Sequence, residues 1–163
     1  MPGVYAPGLV YLQNNTIVCL EETEVNGTFL AECLADSSQL SLSAGNNISV
    51  ITPEYSSAGQ IMFRDNKIRM IRNKQVLIFA ASVTTGKTLS RALESVLYYG
   101  GNVCGVCAIF SAVSKIAGME IKHIFSGSDL PDYRAYSPQD CPMCKNGERV
   151  EAIVNSFGYS SLY

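Results

Sequence analysis

The stretch VLIFAASVTTGKTLSRA, residues 76–92, constrains the fold more than any other part of the chain. It opens within QVLIFAA (75–81), an apolar run of strand length and the composition of a strand buried on both faces. A Ser-Val-Thr-Thr-Gly-Lys-Thr turn follows. KTLSRALESVLYYGG then reads as a helix that stops at Gly100 and Gly101, a glycine C-cap signal. A turn between a buried strand and a helix aims backbone N–H groups, backed by the helix dipole, at one spot, which therefore favours an anion. Gly86 permits close backbone approach, and the hydroxyls of Thr84, Thr85 and Thr88 add donors. With Ser82, Val83 and Lys87 these residues form the candidate phosphate-binding set. The plainer alternative is an N-cap, since threonine commonly satisfies the orphan N–H groups of a helix start. Three threonines around a glycine and a lysine exceed what a cap needs. Immediately before the turn, where chemistry on a phosphorylated substrate calls for acids, stand Ala80 and Ala81.

The rest of the chain supplies the partners of this unit. TIVCL (16–20) reads as a short buried strand, EETEVNGT as an acidic turn, FLAECLAD (29–36) as a helix, and NISVI (47–51) as a second strand ended by Pro53. PEYSSAGQIMFRDNKIRMIRNK is polar, with Arg64, Lys67, Arg69, Arg72 and Lys74, and suggests an exposed excursion or hairpin. NVCGVCAIF (102–110) and EIKHIF (120–125) are further strands. From Ser126 the chain is loop-rich, with Pro131, Pro138 and Pro142, and it closes on GERVEAIVNSFGY. Apolar strands alternating with helices predict an α/β fold whose parallel sheet is covered on both faces. The expected organisation is one domain over 1–163, with an α/β core at 16–125 and a loop-rich C-terminal segment at 126–163 carrying C-P-M-C.

With 163 residues, 47% of them apolar and 16% charged, the chain is expected to be globular. Its net charge of -2 argues against nucleic acid and against a polybasic membrane surface as partners. No apolar run approaches the roughly 20 residues of a membrane span. The opening MPGVYAPGLVYL lacks a basic segment and a signal-peptide core, so the expected location is cytoplasmic.

Six cysteines are then expected to be reduced thiols. Cys104 and Cys107 lie in a predicted strand, where a separation of three places them on opposite faces unless a bulge intervenes. Cys141 and Cys144 flank Pro142 in a turn and make half of a zinc site, but no second half is evident. The favoured reading is a free thiol pair or a packed turn. His123, the only histidine, ends a short strand and equally suits a surface position.

Two phosphate-binding patterns fit the turn. ASVTTGKT matches the end of the P-loop G-x-x-x-x-G-K-[ST], but Ala81 occupies the first glycine position. No later strand ends in an aspartate able to hold magnesium, for VCGVCAIFS ends in serine. The other pattern is closer. VLIFAASVTTGKT resembles the substrate-binding signature of type I phosphoribosyltransferases, which has four apolar residues, two acids, an apolar pair and T-T-G-x-[ST], and it departs from it at the acids. GGNVCGVCAIFS is similar to the helix end and following strand of the orotate phosphoribosyltransferases. DLPDYRAYSPQDCPMCKNG resembles the C-terminal segment of one branch of those enzymes. The likeness is good over about 75–147 and loose over 16–74.

The resemblance implies a doubly wound central parallel sheet flanked by helices, a homodimer, and a small hood that is here reduced or absent. It implies a phosphorylated ribosyl small molecule as ligand, either a nucleoside monophosphate or phosphoribosyl pyrophosphate, with Mg2+ as the companion of the latter. Transfer of the ribosyl group develops positive charge at the anomeric carbon and needs the pyrophosphate neutralised. Three devices serve this in the family. The turn that holds the 5′-phosphate is intact. The acidic pair that holds the ribose hydroxyls is replaced by Ala80 and Ala81. The basic loop over the pyrophosphate corresponds to ITPEYSSAGQIMFRDN, which has no cation before Arg64. Glu21, Glu22 and Glu24, on the pyrophosphate side, repel that anion unless a metal intervenes; they are magnesium-ligand candidates or solvated loop acids. The expectation is a phosphoribosyltransferase-like binder, catalytically impaired or regulatory. An active orotate or other base phosphoribosyltransferase is the competing expectation, and a fold kept for dimerisation or partner binding the third.

Overall fold

Alternate residues of three strands feed two separate apolar layers, and this alternation organises the larger part of the chain. The computed structural model describes residues 15–37, 47–130, 132–137, 139–155 and 158–163. The opening MPGVYAPGLVYL, Pro131 and Pro138 lie outside the described residues. The chain divides into two compact units, Met1–Leu130 and Pro131–Tyr163.

The first unit runs β1 (Asn15–Cys19), α1 (Glu24–Ser37), β2 (Ser49–Ile51), β3 (Glu54–Tyr55), β4 (Ile61–Met62), α2 (Asp65–Ile68), β5 (Gln75–Val83), α3 (Lys87–Tyr98), β6 (Asn102–Ser111), β7 (Lys115–Ile116) and β8 (Met119–Ser126). Six strands form one sheet in the order β2-β1-β5-β6-β8-β7. All neighbours are parallel except the edge pair β7 and β8. From β1 the chain passes through α1 to β2 on one side, while β5, on the other side of β1, continues through α3 to β6. The winding direction therefore reverses between β1 and β5, and in open α/β sheets the crevice beyond the strand ends at such a point is where ligands bind.

One apolar layer contains Val18, Ile78, Ala80, Val106, Ala108 and Ile121 with Leu89, Ala92, Leu93 and Val96 of α3. The opposite layer contains Ile17, Cys19, Leu77 and Phe79, against which Leu30, Ala31 and Leu34 of α1 pack. β5 thus sends successive residues to opposite faces, the period expected of a strand covered on both sides. The α/β sheet with flanking helices agrees with the fold class expected from the sequence.

Three local readings need correction. The helix predicted over 29–36 begins at Glu24, so most of EETEVNGT is helical. Its start is hidden in sequence by Gly27 and Thr28, poor helix formers. Gly27 is there because α1 lies close on β1, and a Cβ at this position meets Cys19 Sγ. Second, the polar excursion does form a β3–β4 hairpin, but it is not a wholly exposed one. Ile61, Phe63 and Ile71 are buried in the α3 layer. Ser95 Oγ donates to the Ile61 carbonyl at 2.9 Å, and the rings of Phe63 and Tyr99 meet edge-on with centroids 5.6 Å apart. Two of its cations serve local ties: Arg64 pairs with Glu54 at 2.6 Å and Lys67 donates to the Thr52 carbonyl at 2.8 Å. Third, the β5–β6 register shifts between Val76 and Leu77, whose partners are Val103 and Gly105. Cys104 is the extra residue, so the bulge that separates strict alternation from the Cys104–Cys107 spacing is present. Cys107 is pushed up to about 12, chiefly by burial, and behaves as a small core residue.

The second unit holds α4 (Pro142–Lys145) and an antiparallel hairpin of β9 (Ala152–Asn155) and β10 (Gly158–Ser161). Among the described residues, no helix is long and apolar enough to cross a membrane.

Candidate phosphate-binding site

The carboxyl ends of β1 and β5, neighbours in the sheet, open on a pocket of about 60 Å³ lined by Leu20, Glu21, Ala80 and residues 82–89. One water needs roughly 10–15 Å³ on this measure, so the space admits several waters or one tetrahedral anion. Val83 and Leu89 are buried and pin the turn at both ends, while Ser82, Thr84, Thr85, Lys87 and Thr88 are exposed.

The geometry of the helix start decides between a capped helix and an open one. The N-cap of α3 is Gly86, in the left-handed region at φ 75° and ψ 1°, and no side chain caps the helix. Its carbonyl accepts from the Ser90 N–H at 2.8 Å, so the first turn is closed. The preceding N–H groups have no intrahelical partner. The threonines thus do not act as an N-cap, the plainer alternative offered by the sequence. A Cβ at Gly86 lies 2.9 Å from Ile116 Cδ1, so the β7 edge supports the turn from outside.

The other wall is the end of β1. The Leu20 N–H donates to the Phe79 carbonyl at 2.8 Å, extending the β1–β5 ladder by one residue. Glu21 and Glu22 then take φ of 55° and 61°, a conformation costing about 1–2 kcal/mol for each L-residue. Thr23 holds this turn from beneath: its buried hydroxyl donates to the Leu20 carbonyl at 2.8 Å, with the Phe79 carbonyl at 3.4 Å. Its own carbonyl accepts from Gly27 N–H at 2.8 Å, starting α1. Thr23→Ala is expected to lower stability by about 1–2 kcal/mol, the cost of leaving a buried carbonyl short of a partner. Urea unfolding measures this, and an unaltered midpoint would mean that the turn needs no such support.

Tyr55, from the hairpin, reaches the same turn. Burial raises its phenol above the ordinary range; a hydrogen bond with the Glu21 backbone opposes the rise and the Glu21 and Glu24 carboxylates add to it. The sequence reading missed Tyr55 and Ile116. An aromatic residue in the otherwise polar stretch PEYSSAGQ was the one available signal for the first. Nothing in the sequence marked the second.

Glu21, Ala80 and all of residues 82–88 are brought to one pocket. Ala81 is half-buried and does not line it; Glu22 is exposed at the turn and Glu24 is the first residue of α1. Ala80, 2% exposed, sits in the α3 apolar layer as well as in the pocket wall. His123 is exposed on β8, its Nδ1 2.9 Å from the Ile121 carbonyl. Among the described residues, no three His, Cys, Asp or Glu side chains converge as a metal site. Cys141 and Cys144 lie in the second unit, flanking Pro142.

The sheet, wound both ways from β1 and β5 between flanking helices, is similar to that of solved phosphoribosyltransferases. The hypoxanthine phosphoribosyltransferase of Trypanosoma cruzi superposes with a TM-score of 0.53 at 12% identity, covering 71% of this chain and 63% of that one. That of Staphylococcus aureus gives 0.51 at 17% identity, covering 76% and 65%. The HGPRT-ase of Leishmania tarentolae, solved in complex with GMP, gives 0.50 at 16% identity, covering 77% and 67%. The chain has the type I phosphoribosyltransferase fold. In sequence it is similar to an orotate phosphoribosyltransferase of Chlorobaculum parvum (strain DSM 263 / NCIMB 8327), with 26% identity over 83 residues. That match takes in 49% of this chain and 40% of the relative's length. No protein-family model matches the chain.

Proposed function

We propose that the chain binds a ribose 5-phosphate ligand, a nucleoside monophosphate or phosphoribosyl pyrophosphate, through residues 82–88, and that it is impaired in ribosyl transfer. The observation that carries this reading is the start of α3. A left-handed glycine stands where a capping side chain normally stands, and the N–H groups beyond it face a pocket with room for a tetrahedral anion. Lys87 and the three threonine hydroxyls add charge and donors at the same place. The impairment follows from what surrounds that grip. Ala80 and Ala81 offer no side-chain acceptor to ribose hydroxyls. The segment opposite contributes Tyr55, while Arg64 and Lys67 beside it pair with Glu54 and the Thr52 carbonyl.

A true orotate or base phosphoribosyltransferase is the second reading, favoured by the sequence match to the Chlorobaculum parvum enzyme. Under it, Glu21, which lines the pocket, would be the candidate to hold a magnesium ion there. Turnover with phosphoribosyl pyrophosphate and a panel of bases separates the two readings, and ligand-induced thermal stabilisation separates both from a fold kept only for partner binding.

Thr85→Ala is expected to weaken nucleoside monophosphate binding by about 1–2 kcal/mol, the scale of one hydrogen bond to a charged group. Calorimetry reads this directly. Unchanged affinity would show that the threonine hydroxyls do not touch the ligand.

A further inference from the structure

The thiol pair in the second unit is not used by the phosphate site, and its geometry defines a chemistry of its own. Cys141 is extended at φ −75° and ψ 113°, Pro142 follows, and the Lys145 N–H donates to the Cys141 carbonyl at 3.1 Å. The chain therefore closes one turn between the two cysteines, which stand three residues apart at neighbouring positions of that turn. At the far end Gly147, at φ 74°, donates its N–H to the Cys144 carbonyl at 3.1 Å, and Glu148 N–H donates to the Met143 carbonyl at 2.9 Å. Both ends of the C-P-M-C turn are thus fixed. Bridged cysteines have Cα atoms about 4.4–6.8 Å apart, a span that residues three apart on one helical turn provide.

We propose that Cys141 and Cys144 form a reversible thiol–disulfide exchange site. Cys144 is exposed and Cys141 half-buried, so a small disulfide reaches both. The other half-buried or buried thiols are poor competitors: burial pushes Cys19 up to about 11 and Cys107 up to about 12.

The co-substrate is a low-molecular-weight disulfide, RS–SR. The thiolate of one cysteine of the pair attacks one of its sulfurs, a protein–SR mixed disulfide forms, and RS⁻ leaves and takes up a proton. The other cysteine then gives up its proton and attacks the protein sulfur of that bond, the bond to SR breaks, and a second RSH is released. Two electrons and two protons pass from the protein dithiol to RS–SR, and the reverse reaction reduces the pair.

Trypsin isolates the pair. Cleavage after Arg134 and Lys145 releases residues 135–145, which contain both cysteines and no others. The full chain is incubated with oxidised glutathione, alkylated, digested and weighed. The expected product is this peptide short of two hydrogens and unalkylated, with dithiothreitol restoring two alkylation sites. In Cys144→Ser and in Cys141→Ser, the remaining cysteine of the pair is expected to hold one glutathione as a mixed disulfide that does not resolve. The wild-type measurement stands even where a variant fails to fold. Two alkylated cysteines after oxidation, or a stoichiometric zinc ion that shields both sulfurs, overturns the proposal.

Discussion

Steady-state assays of the unaltered protein with phosphoribosyl pyrophosphate, orotate and magnesium are expected to give turnover at least ~10³-fold below the ~1–10³ s⁻¹ of ordinary enzymes. The reason lies at the end of β5. Removing one preorganised group that stabilises transition-state charge typically costs 10²–10³ in rate, and on the proposed reading two such positions, Ala80 and Ala81, hold methyl groups. Restoring acids as Ala80→Glu with Ala81→Asp is expected to tighten ligand binding, each regained charge-assisted hydrogen bond contributing about 1.5–3 kcal/mol. Turnover should stay feeble, because no basic segment neutralises the pyrophosphate.

The two changes differ in cost. Ala81 is half-buried, so an aspartate there keeps access to water. Ala80 is 2% exposed among Leu20, Ile78 and Val83, and a glutamate there loses solvation. Ala80→Glu is therefore expected to account for most of the lost stability in the pair, on the order of several kcal/mol. Turnover of the unaltered protein within the ordinary enzymatic range overturns the reading of Ala80 and Ala81 as a disabling loss.

β5, α3 and β6 were legible because an apolar run of strand length, a glycine turn and a glycine stop each leave a strong local mark. The turn that joins β5 to α3 was legible for the same reason. What the sequence hid depends on contacts between distant residues. The start of α1 is one case, where Gly27 serves the close approach to Cys19 rather than helix propensity. The hairpin excursion is another: Ile61, Phe63 and Ile71 are spaced without a clear period, so their common burial against α3 shows only in three dimensions. The left-handed pair Glu21–Glu22 has no glycine or asparagine to announce it. It persists because Thr23 holds the carbonyls beneath. The bulge at Cys104 is likewise a matter of register with β5, which a single strand's sequence does not encode.

Gly86→Val is expected to lower stability by about 2–4 kcal/mol and to weaken nucleoside monophosphate binding by at least ~10-fold, the largest effect of any single change in the turn. Two costs act together. At φ 75° an L-residue is less stable by about 1–2 kcal/mol, and a β-branched one fits this region worst. The new Cβ also lies 2.9 Å from Ile116 Cδ1, and overpacking of this kind costs about 1–3 kcal/mol. The second cost is separable, since Ile116 contributes the far end of a flexible side chain. Placing Gly86→Val in an Ile116→Ala background should recover the packing part and leave the backbone part, a coupling that a double-mutant cycle measures. Ligand affinity should not recover with it, because the backbone N–H groups of residues 86–88 stay turned away from the anion as long as residue 86 resists the left-handed region. Stability lost with nucleoside monophosphate affinity unchanged would remove the phosphate from this turn, and with it the central element of the proposed function.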